Sequence, residues 1–363
     1  MVFNYLLLAF AIVTGINCFF FLFFSKFSFT KHKKANSNND PVSVIVYMKN
    51  QEALLHNFLP KLIEQNYPDF ELILVNNASY DNTLDILEQY ETEHDNIKIV
   101  DVVNNEAFWG SKKYALTLGI KKASHKKLLF ITPIVAELSK NWISETSGLF
   151  SEQNEIIIGY NNYQKVKGFA SRLMRYSRLQ SCIQNFGIGS YGKPYRAWQN
   201  NLGFTSTLFY ENNGYSSHMN VAVETENLFL KEAATAKNIT ITTSKDSITY
   251  NQSLSFANWF KSGKDRLFSS KYFSAGVKFN LGLFFITQLL FWIGAIAGSI
   301  IYQDLTWFIL IGVRFFIAGI VIGKSAFKLS EKDLFYLFPF WELLNICLQI
   351  SIFISNIFSK PQH

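Results

Sequence analysis

The chain has 363 residues, 49% apolar and 17% aromatic with 36 Phe, a surplus that excludes an ordinary soluble domain and points to membrane segments. Its net charge of +7 comes mostly from basic stretches beside apolar runs, which suits anionic lipid and gives no case for nucleic acid. The widely separated Cys18, Cys182 and Cys347 give neither a disulfide framework nor a metal site.

The first run, Tyr5 to Phe24, is close to the roughly 20 residues that span a bilayer. It lacks a basic n-region and a small-residue cleavage site, so it is expected to be an uncleaved anchor (1–25). Lys26, Lys31, Lys33 and Lys34 follow in a polar linker (26–40), and the positive-inside rule then places the chain from Lys26 onward in the cytoplasm. Pro41 leads into "VSVIVYM", a β-branched run that fits a strand buried on both faces. In "EALLHNFLPKLIEQNYP" the apolar residues recur at helical spacing. "FELILVNN" reads as a second strand, "ASYDNTLDILEQYETEH" as a turn and helix, "IKIVDVV" as a third strand, "GSKKYALTLGIKKAS" as a helix and "KKLLFITPI" as a fourth strand. Strands alternating with helices predict right-handed crossovers and a parallel, doubly wound sheet. Ligands of such sheets bind beyond the carboxyl ends of the strands, where Asn76, Asn77, Phe108, Trp109 and Thr132 fall.

Three more apolar runs close the chain: Phe279 to Tyr302, Trp307 to Gly323 and Leu334 to Phe358. "QDLT" between the first two has no Lys or Arg, whereas "KSAFKLSEKD" between the last two has three Lys, which places both termini on the far side. Arg314 and Glu342 lie inside these runs, roughly 14 and 12 Å deep at about 1.5 Å per helical residue. An ion pair between them is the simpler expectation, with a polar substrate path as the alternative.

The order of motifs between Pro41 and Lys278 resembles the family-2 glycosyltransferases of the GT-A fold. "PVSVIVYMKNQE" is similar to the family's opening strand and Asn-Glu turn, and "LIEQNYPDFELILVNNASYDNTLDIL" to its Gln-x-Tyr-Pro, strand and Asp-rich turn. "AFWGSKKYALTLGIKKAS" resembles the Gly-x-Lys helix, and "LLFIT…SKNW" the strand that carries a metal-binding Asp-x-Asp. "NNGYSSHMNVAVETENLFLKEAA" resembles the segment with the acidic catalytic base, and "NWFKSGKDRLFSSKYF" the basic region before the membrane helices. The resemblance implies an α/β GT-A domain (41–278) with one N-terminal and about three C-terminal transmembrane helices (279–358) and a short tail (359–363). It also implies a nucleotide-sugar donor, a lipid-linked or cell-envelope glycan acceptor, and a multi-pass location in the inner (cytoplasmic) membrane.

Carried over residue by residue, the family's chemistry is only partly met. The Asp-x-Asp position falls on Thr132-Pro133-Ile134, so a divalent metal is unsupported and no metal ligands are assigned; Glu137, three residues on, is the nearest acid. Asn50, Asn76, Asn77 and Asp81 are assigned to the nucleoside, although Asp81 serves equally as a helix N-terminal residue. Lys112 and Lys113 open a helix after "FWG", where backbone donors, the helix dipole and an ammonium group favour phosphate; a solvated helix face is the alternative. Arg266 is the basic-region residue retained for the diphosphate, Trp198 a candidate for stacking on a sugar, and Thr132 a wall of the pocket. The family's base position falls on Thr225, flanked by Glu224 and Glu226, of which Glu226 is preferred. Two readings follow: a metal-independent transferase, or an inactive relative that scaffolds an active glycosyltransferase. A transporter has only Arg314 and Glu342 to support it.

Overall fold

The computed structural model describes residues 2–36, 39–103, 112–192, 194–219, 221 and 225–358. Contacts divide the chain into an α/β unit (31–164 and 191–253) and a helical unit (1–30, 165–190 and 254–363). The strands are β1 (Val42–Met48), β2 (Phe70–Asn77), β3 (Ile97–Val102), β4 (Lys127–Ile131), β5 (Val135–Glu137), β6 (Ile156–Gly159), β7 (Asn161–Tyr163), β8 (Leu202–Thr205), β9 (Ile239–Thr242) and β10 (Thr249–Asn251). The helices are α1 (Val2–Phe29), α2 (Glu52–Ile63), α3 (Thr83–Glu93), α4 (Lys112–Lys122), α5 (Trp142–Ser147), α6 (Phe169–Gly189), α7 (Ser206–Glu211), α8 (Thr225–Ala233), α9 (Phe256–Ser269), α10 (Ala275–Ile301), α11 (Leu305–Lys328) and α12 (Phe338–Phe358).

In the α/β unit a seven-stranded sheet runs in the order β3-β2-β1-β4-β8-β6-β9. The first four strands are parallel, with Val42 opposite Phe70 and Lys127, and β8 runs antiparallel to β4. Val, Ile and Leu along the middle of β1, β2 and β4 let both faces be covered, and Val44, Leu72, Leu74 and Leu129 are fully buried. α2 places Leu55, Phe58, Leu59 and Leu62 on the sheet at helical spacing, each such side chain worth about 1.5–3 kcal/mol of burial. Gly119 lets α4 come close: a Cβ there would lie 2.6 Å from Val75 Cγ2. One charge inside the sheet, Glu71, accepts from Ser43 Oγ at 2.5 Å, the Ser124 amide at 2.5 Å and Lys98 Nζ at 2.6 Å. β5, β10 and β7 form a second, three-stranded sheet.

In the helical unit α1, α10, α11 and α12 are long and apolar enough to cross a membrane, as befits a multi-pass membrane-associated protein. The expected run Trp307 to Gly323 extends at both ends in α11, and Asp304 caps its start, accepting from the Thr306 and Trp307 amides at 2.8 and 3.2 Å. The last span begins at Phe338, four residues later than expected, after a 3₁₀ turn over Lys332–Leu334. Small residues set the helix spacing: a Cβ on Gly298 would sit 2.0 Å from Trp307 Cε2, and Trp307 stacks on Phe10 at 4.3 Å. α6 and α9, both inside the stretch 41–278, cluster with these helices.

Arg314 and Glu342 do meet, both fully buried: Nη1 donates to Oε2 at 2.7 Å and Nη2 to Oε1, while Nε donates to Asn17 Oδ1 at 2.9 Å. Gln288 Nε2 also donates to Glu342, and Phe21, Phe291 and Phe315 surround the guanidinium at 4.9, 4.6 and 5.3 Å. A second buried arginine, Arg175 on α6, donates to Glu331 and, at 2.7 and 2.9 Å, to Asp333 in the turn between α11 and α12. These contacts join residues 297 and 156 positions apart in the sequence.

Candidate functional site

The chain leaves β1 for β2 on one side, whereas β4 lies on the other, so the sheet has a topological switch point between β1 and β4. A cleft of about 260 Å³ opens there. Its walls come from Tyr47, Met48, Lys49 and Gln51 after β1, Thr132-Pro133-Ile134 after β4, and Gln199 and Asn200 ahead of β8. Sequence reasoning missed Gln51, Gln199 and Asn200.

The turn after β4 is built from neutral groups. Thr132 O accepts from the Val135 amide at 3.1 Å, Ile134 O accepts from the Gln252 amide at 2.8 Å, and Thr132 Oγ1 donates to Asn200 Oδ1 at 2.5 Å. Asn200 Nδ2 and Asn161 Nδ2 both donate to Asn251 Oδ1, at 3.0 and 2.8 Å. Beside them Asn201, fully buried, accepts from Trp142 Nε1 at 3.1 Å and donates to the Tyr160 and Ser247 carbonyls. Glu137 is exposed at the end of β5 and accepts from Gln164 at 3.1 Å. Among the described residues no three His, Cys, Asp or Glu side chains group to hold a metal ion. The hydroxyl and amide oxygens at this turn do not fit a divalent cation, which favours carboxylates. The signal for this network was present as the doublets Asn161-Asn162 and Asn200-Asn201.

The residues assigned to a nucleoside each hold groups of neighbouring turns and strands. Asn50, in the left-handed region at φ 54°, donates its amide to Ser79 Oγ at 2.9 Å and accepts from the Tyr80 amide at 2.8 Å. Asn76 is buried, donates to Asp101 Oδ1 at 2.7 Å and accepts from Ser79 Oγ at 2.5 Å. Asn77 is buried and donates to Tyr47 OH at 3.0 Å. Asp81 braces two turns, accepting from the Glu52 amide at 3.1 Å and from Thr83 Oγ1 at 2.5 Å. Burial pushes its carboxyl up, but hydrogen bonds from Thr83 and the Glu52 amide outweigh this and hold it below the usual carboxylate range. Asn76 and Asp81 thus brace the ends of the first two strands.

Lys112 and Glu226, expected as phosphate ligand and base, are brought together: Lys112 Nζ lies 2.6 Å from Glu226 Oε1 and 5.7 Å from the Tyr47 ring centroid. Burial, and then the Glu226 charge, push the neighbouring Tyr215 phenol well above its ordinary value, so it stays protonated. Lys113 takes a different place from the one expected: it is 2% exposed and donates to the carbonyls of His218, at 2.9 Å, and Val221. Burial at the helix start turns its ammonium toward the 218–221 backbone instead of solvent. Trp198 is also buried, at 8% exposure, so its ring is not offered as a stacking platform. Arg266 belongs to the helical unit, where its guanidinium lies 5.8 Å from the Trp259 ring. Glu224, Phe108 and Trp109 lie outside the described residues.

Comparison with known proteins adds to this geometry. The family described as Glycosyl transferase family 2 matches residues 43–203. A poly(ribitol-phosphate) beta-glucosyltransferase of Bacillus spizizenii is 27% identical over 132 residues, 35% of this chain and 20% of that protein. A poly-beta-1,6-N-acetyl-D-glucosamine synthase of Staphylococcus epidermidis is 28% identical over 134 residues, 35% of this chain and 31% of that protein. The matched stretches thus span under a third of these relatives' own length. Among solved structures, the mannosyltransferase PcManGT from Pyrobaculum calidifontis, in complex with GDP-Man and Mn²⁺, aligns with a TM-score of 0.60. That alignment has 13% identity and covers 98% of this chain and 99% of that one, a likeness of fold. With a parallel sheet and a cleft at its switch point, residues 43–203 of this chain match glycosyl transferase family 2.

Proposed function

We propose that the protein is a membrane-bound glycosyltransferase that moves a sugar from a nucleotide-sugar donor to a lipid-linked or cell-envelope glycan acceptor at the cytoplasmic face. The observation that supports this reading is the Lys112–Glu226 pair, whose ammonium lies 5.7 Å from the ring of Tyr47, a residue that lines the switch-point cleft. Transfer breaks the bond between the sugar anomeric carbon and the diphosphate oxygen, and the electron pair leaves with the diphosphate. Lys112 is the group suited to that growing negative charge, since a preorganised ammonium near the leaving oxygen stabilises it. The acceptor hydroxyl forms the new bond and gives its proton to Glu226. An arriving diphosphate competes with Glu226 for Lys112, so donor binding releases the carboxylate for the acceptor. Names of relatives that include poly(ribitol-phosphate) and a polymer of N-acetylglucosamine favour a glycan acceptor.

The neutral Thr132-Pro133-Ile134 turn favours a second reading, an inactive chain that binds a nucleotide or glycan and scaffolds an active partner. Titration of the full chain in nanodiscs with UDP and GDP, with and without Mg²⁺ or Mn²⁺, separates the two. Binding without metal that weakens about tenfold or more in Lys112→Met supports the transferase, as does loss of sugar transfer in Glu226→Gln. Strictly metal-dependent binding refutes the metal-independent mechanism, and binding of neither nucleotide favours the scaffold.

A further inference from the structure

Among the described residues that line the switch-point cleft, Lys49 alone carries a full charge. Its side chain is exposed, and among the described residues its ammonium has no hydrogen-bond or ion-pair partner. The two lysines that open α4 are committed elsewhere: Lys112 to Glu226 at 2.6 Å, and Lys113 to the carbonyls of His218 and Val221. The backbone under Lys49 is held even though its side chain is not. Lys49 O accepts from Gln51 Nε2 at 3.1 Å, and the next residue, Asn50, is pinned at φ 54° by Ser79 and Tyr80. After β4 the same cleft is lined by Thr132, Pro133 and Ile134. Carboxylates at Thr132 and Ile134 would draw an ammonium in this space to themselves, whereas a hydroxyl bonded to Asn200 and an apolar side chain do not. A lysine on open surface is merely hydrated. As the sole charge in a concave space of about 260 Å³ with no opposing acid, it makes that space positive and suited to an anion.

We infer that Lys49 is a donor-binding residue, one that holds the diphosphate of the nucleotide sugar and supplies the charge a divalent cation would otherwise bring. A divalent cation held by two carboxylates comes with two negative charges that offset its own. One ammonium beside a neutral turn brings a single positive charge with nothing to offset it, so the neutral turn and the unpaired lysine work as one arrangement. A diphosphate entering the cleft displaces only water from Lys49, whereas it must compete with Glu226 for Lys112. Lys49 therefore docks the diphosphate, and Lys112 is left to the leaving oxygen. The assignment rests on the glycosyltransferase reading for the identity of the anion, and on the cleft for its charge.

Calorimetric titration of the full chain in nanodiscs tests it, with UDP, GDP and inorganic pyrophosphate as probes in the presence of EDTA. The expected result is metal-free binding that weakens about tenfold or more in Lys49→Met, the loss of one charge-assisted contact, and that Lys49→Arg largely restores. Ile134→Asp, at a position 40% exposed, brings a competing carboxylate into the cleft and is expected to weaken binding similarly while leaving Lys49 in place. Metal-free nucleotide binding that Lys49→Met leaves unchanged overturns the inference and leaves the transferase reading standing on Lys112. A loss that Lys49→Arg does not restore also overturns it, because shape rather than charge is then at work, and strictly metal-dependent binding does the same. Pyrophosphate binding that depends on Lys49, with neither nucleotide bound, upholds the anion site and refutes the transferase reading. Binding of none of the three probes overturns both.

Discussion

Replacing Glu342 with Leu leaves the Arg314 guanidinium fully buried and deprived of a bidentate partner, with Asn17 and three aromatic rings still beside it. Removing one member of a buried pair costs about 3–5 kcal/mol. At about 2–4 °C per kcal/mol for a unit of this size, the melting temperature falls by roughly 6–20 °C. Arg314→Met strands the carboxylate in the same way, although Gln288 still donates to it, so its loss lies at the lower end. In the double variant neither charge remains. Asn17 keeps Thr287 as a partner at 3.3 Å, and Gln288 keeps Gln180 at 3.3 Å, so the double variant is more stable than either single one. Thermal unfolding in detergent, followed by fluorescence of Trp292, Trp307 and Trp341, gives the three losses. A coupling term of about 2 kcal/mol or more is expected. Strict additivity would refute the structural ion pair, and loss of sugar transfer in a well-folded double variant would revive a substrate path through these residues.

Other consequences are as direct. Gly159→Ala places a Cβ 2.2 Å from Asn201 Cγ, forces the buried amide off Trp142, and is expected to cost about 1–3 kcal/mol in urea unfolding. Burial pushes the Glu71 carboxyl up, but bonds from Lys98, Ser43 and the Ser124 amide hold it below its ordinary value. Because its folded pKa is depressed, its contribution is present above the unfolded pKa and is lost as pH falls through the folded one. Wild-type unfolding in urea therefore loses stability as pH falls below the ordinary glutamate range, and Glu71→Gln flattens that limb. Asp81→Ala leaves the Glu52 amide and Thr83 without their acceptor, so a drop of about 1–3 kcal/mol in unfolding free energy is expected.

Much of the architecture was legible because burial on both faces leaves a plain mark. The second strand, "FELILVNN", is β2 to the residue, and "VSVIVYM" is β1. The fate of polar residues was harder to read. Lys113 and Trp198 carry the composition of ligand contacts, yet their burial depends on segments 105 residues or more away in one case and on the surrounding core in the other. The small sheet of β5, β10 and β7 brings Val135 and Glu137 to Asn251 and Tyr250, a pairing that three-residue strands cannot announce. Gln51 and Gln199 lie 148 positions apart in sequence, and only the fold brings both to one cleft. Loss of the acidic pair at Thr132 and Ile134 was visible in sequence, whereas the asparagine network behind it needed three dimensions.

Arg175 also bears on how the protein is made. Its helix leaves the ribosome long before Glu331 and Asp333, 156 and 158 residues downstream, have been added. Through that interval the guanidinium must keep water or a temporary anion as company, because entry into an apolar interior without its carboxylates would be prohibitive. Assembly of the helical unit is therefore a late, long-range event in biosynthesis, waiting on the turn that follows α11. A ribosome stalled before that turn would hold α6 in a hydrated, protease-sensitive state, and release of a few more codons would end it.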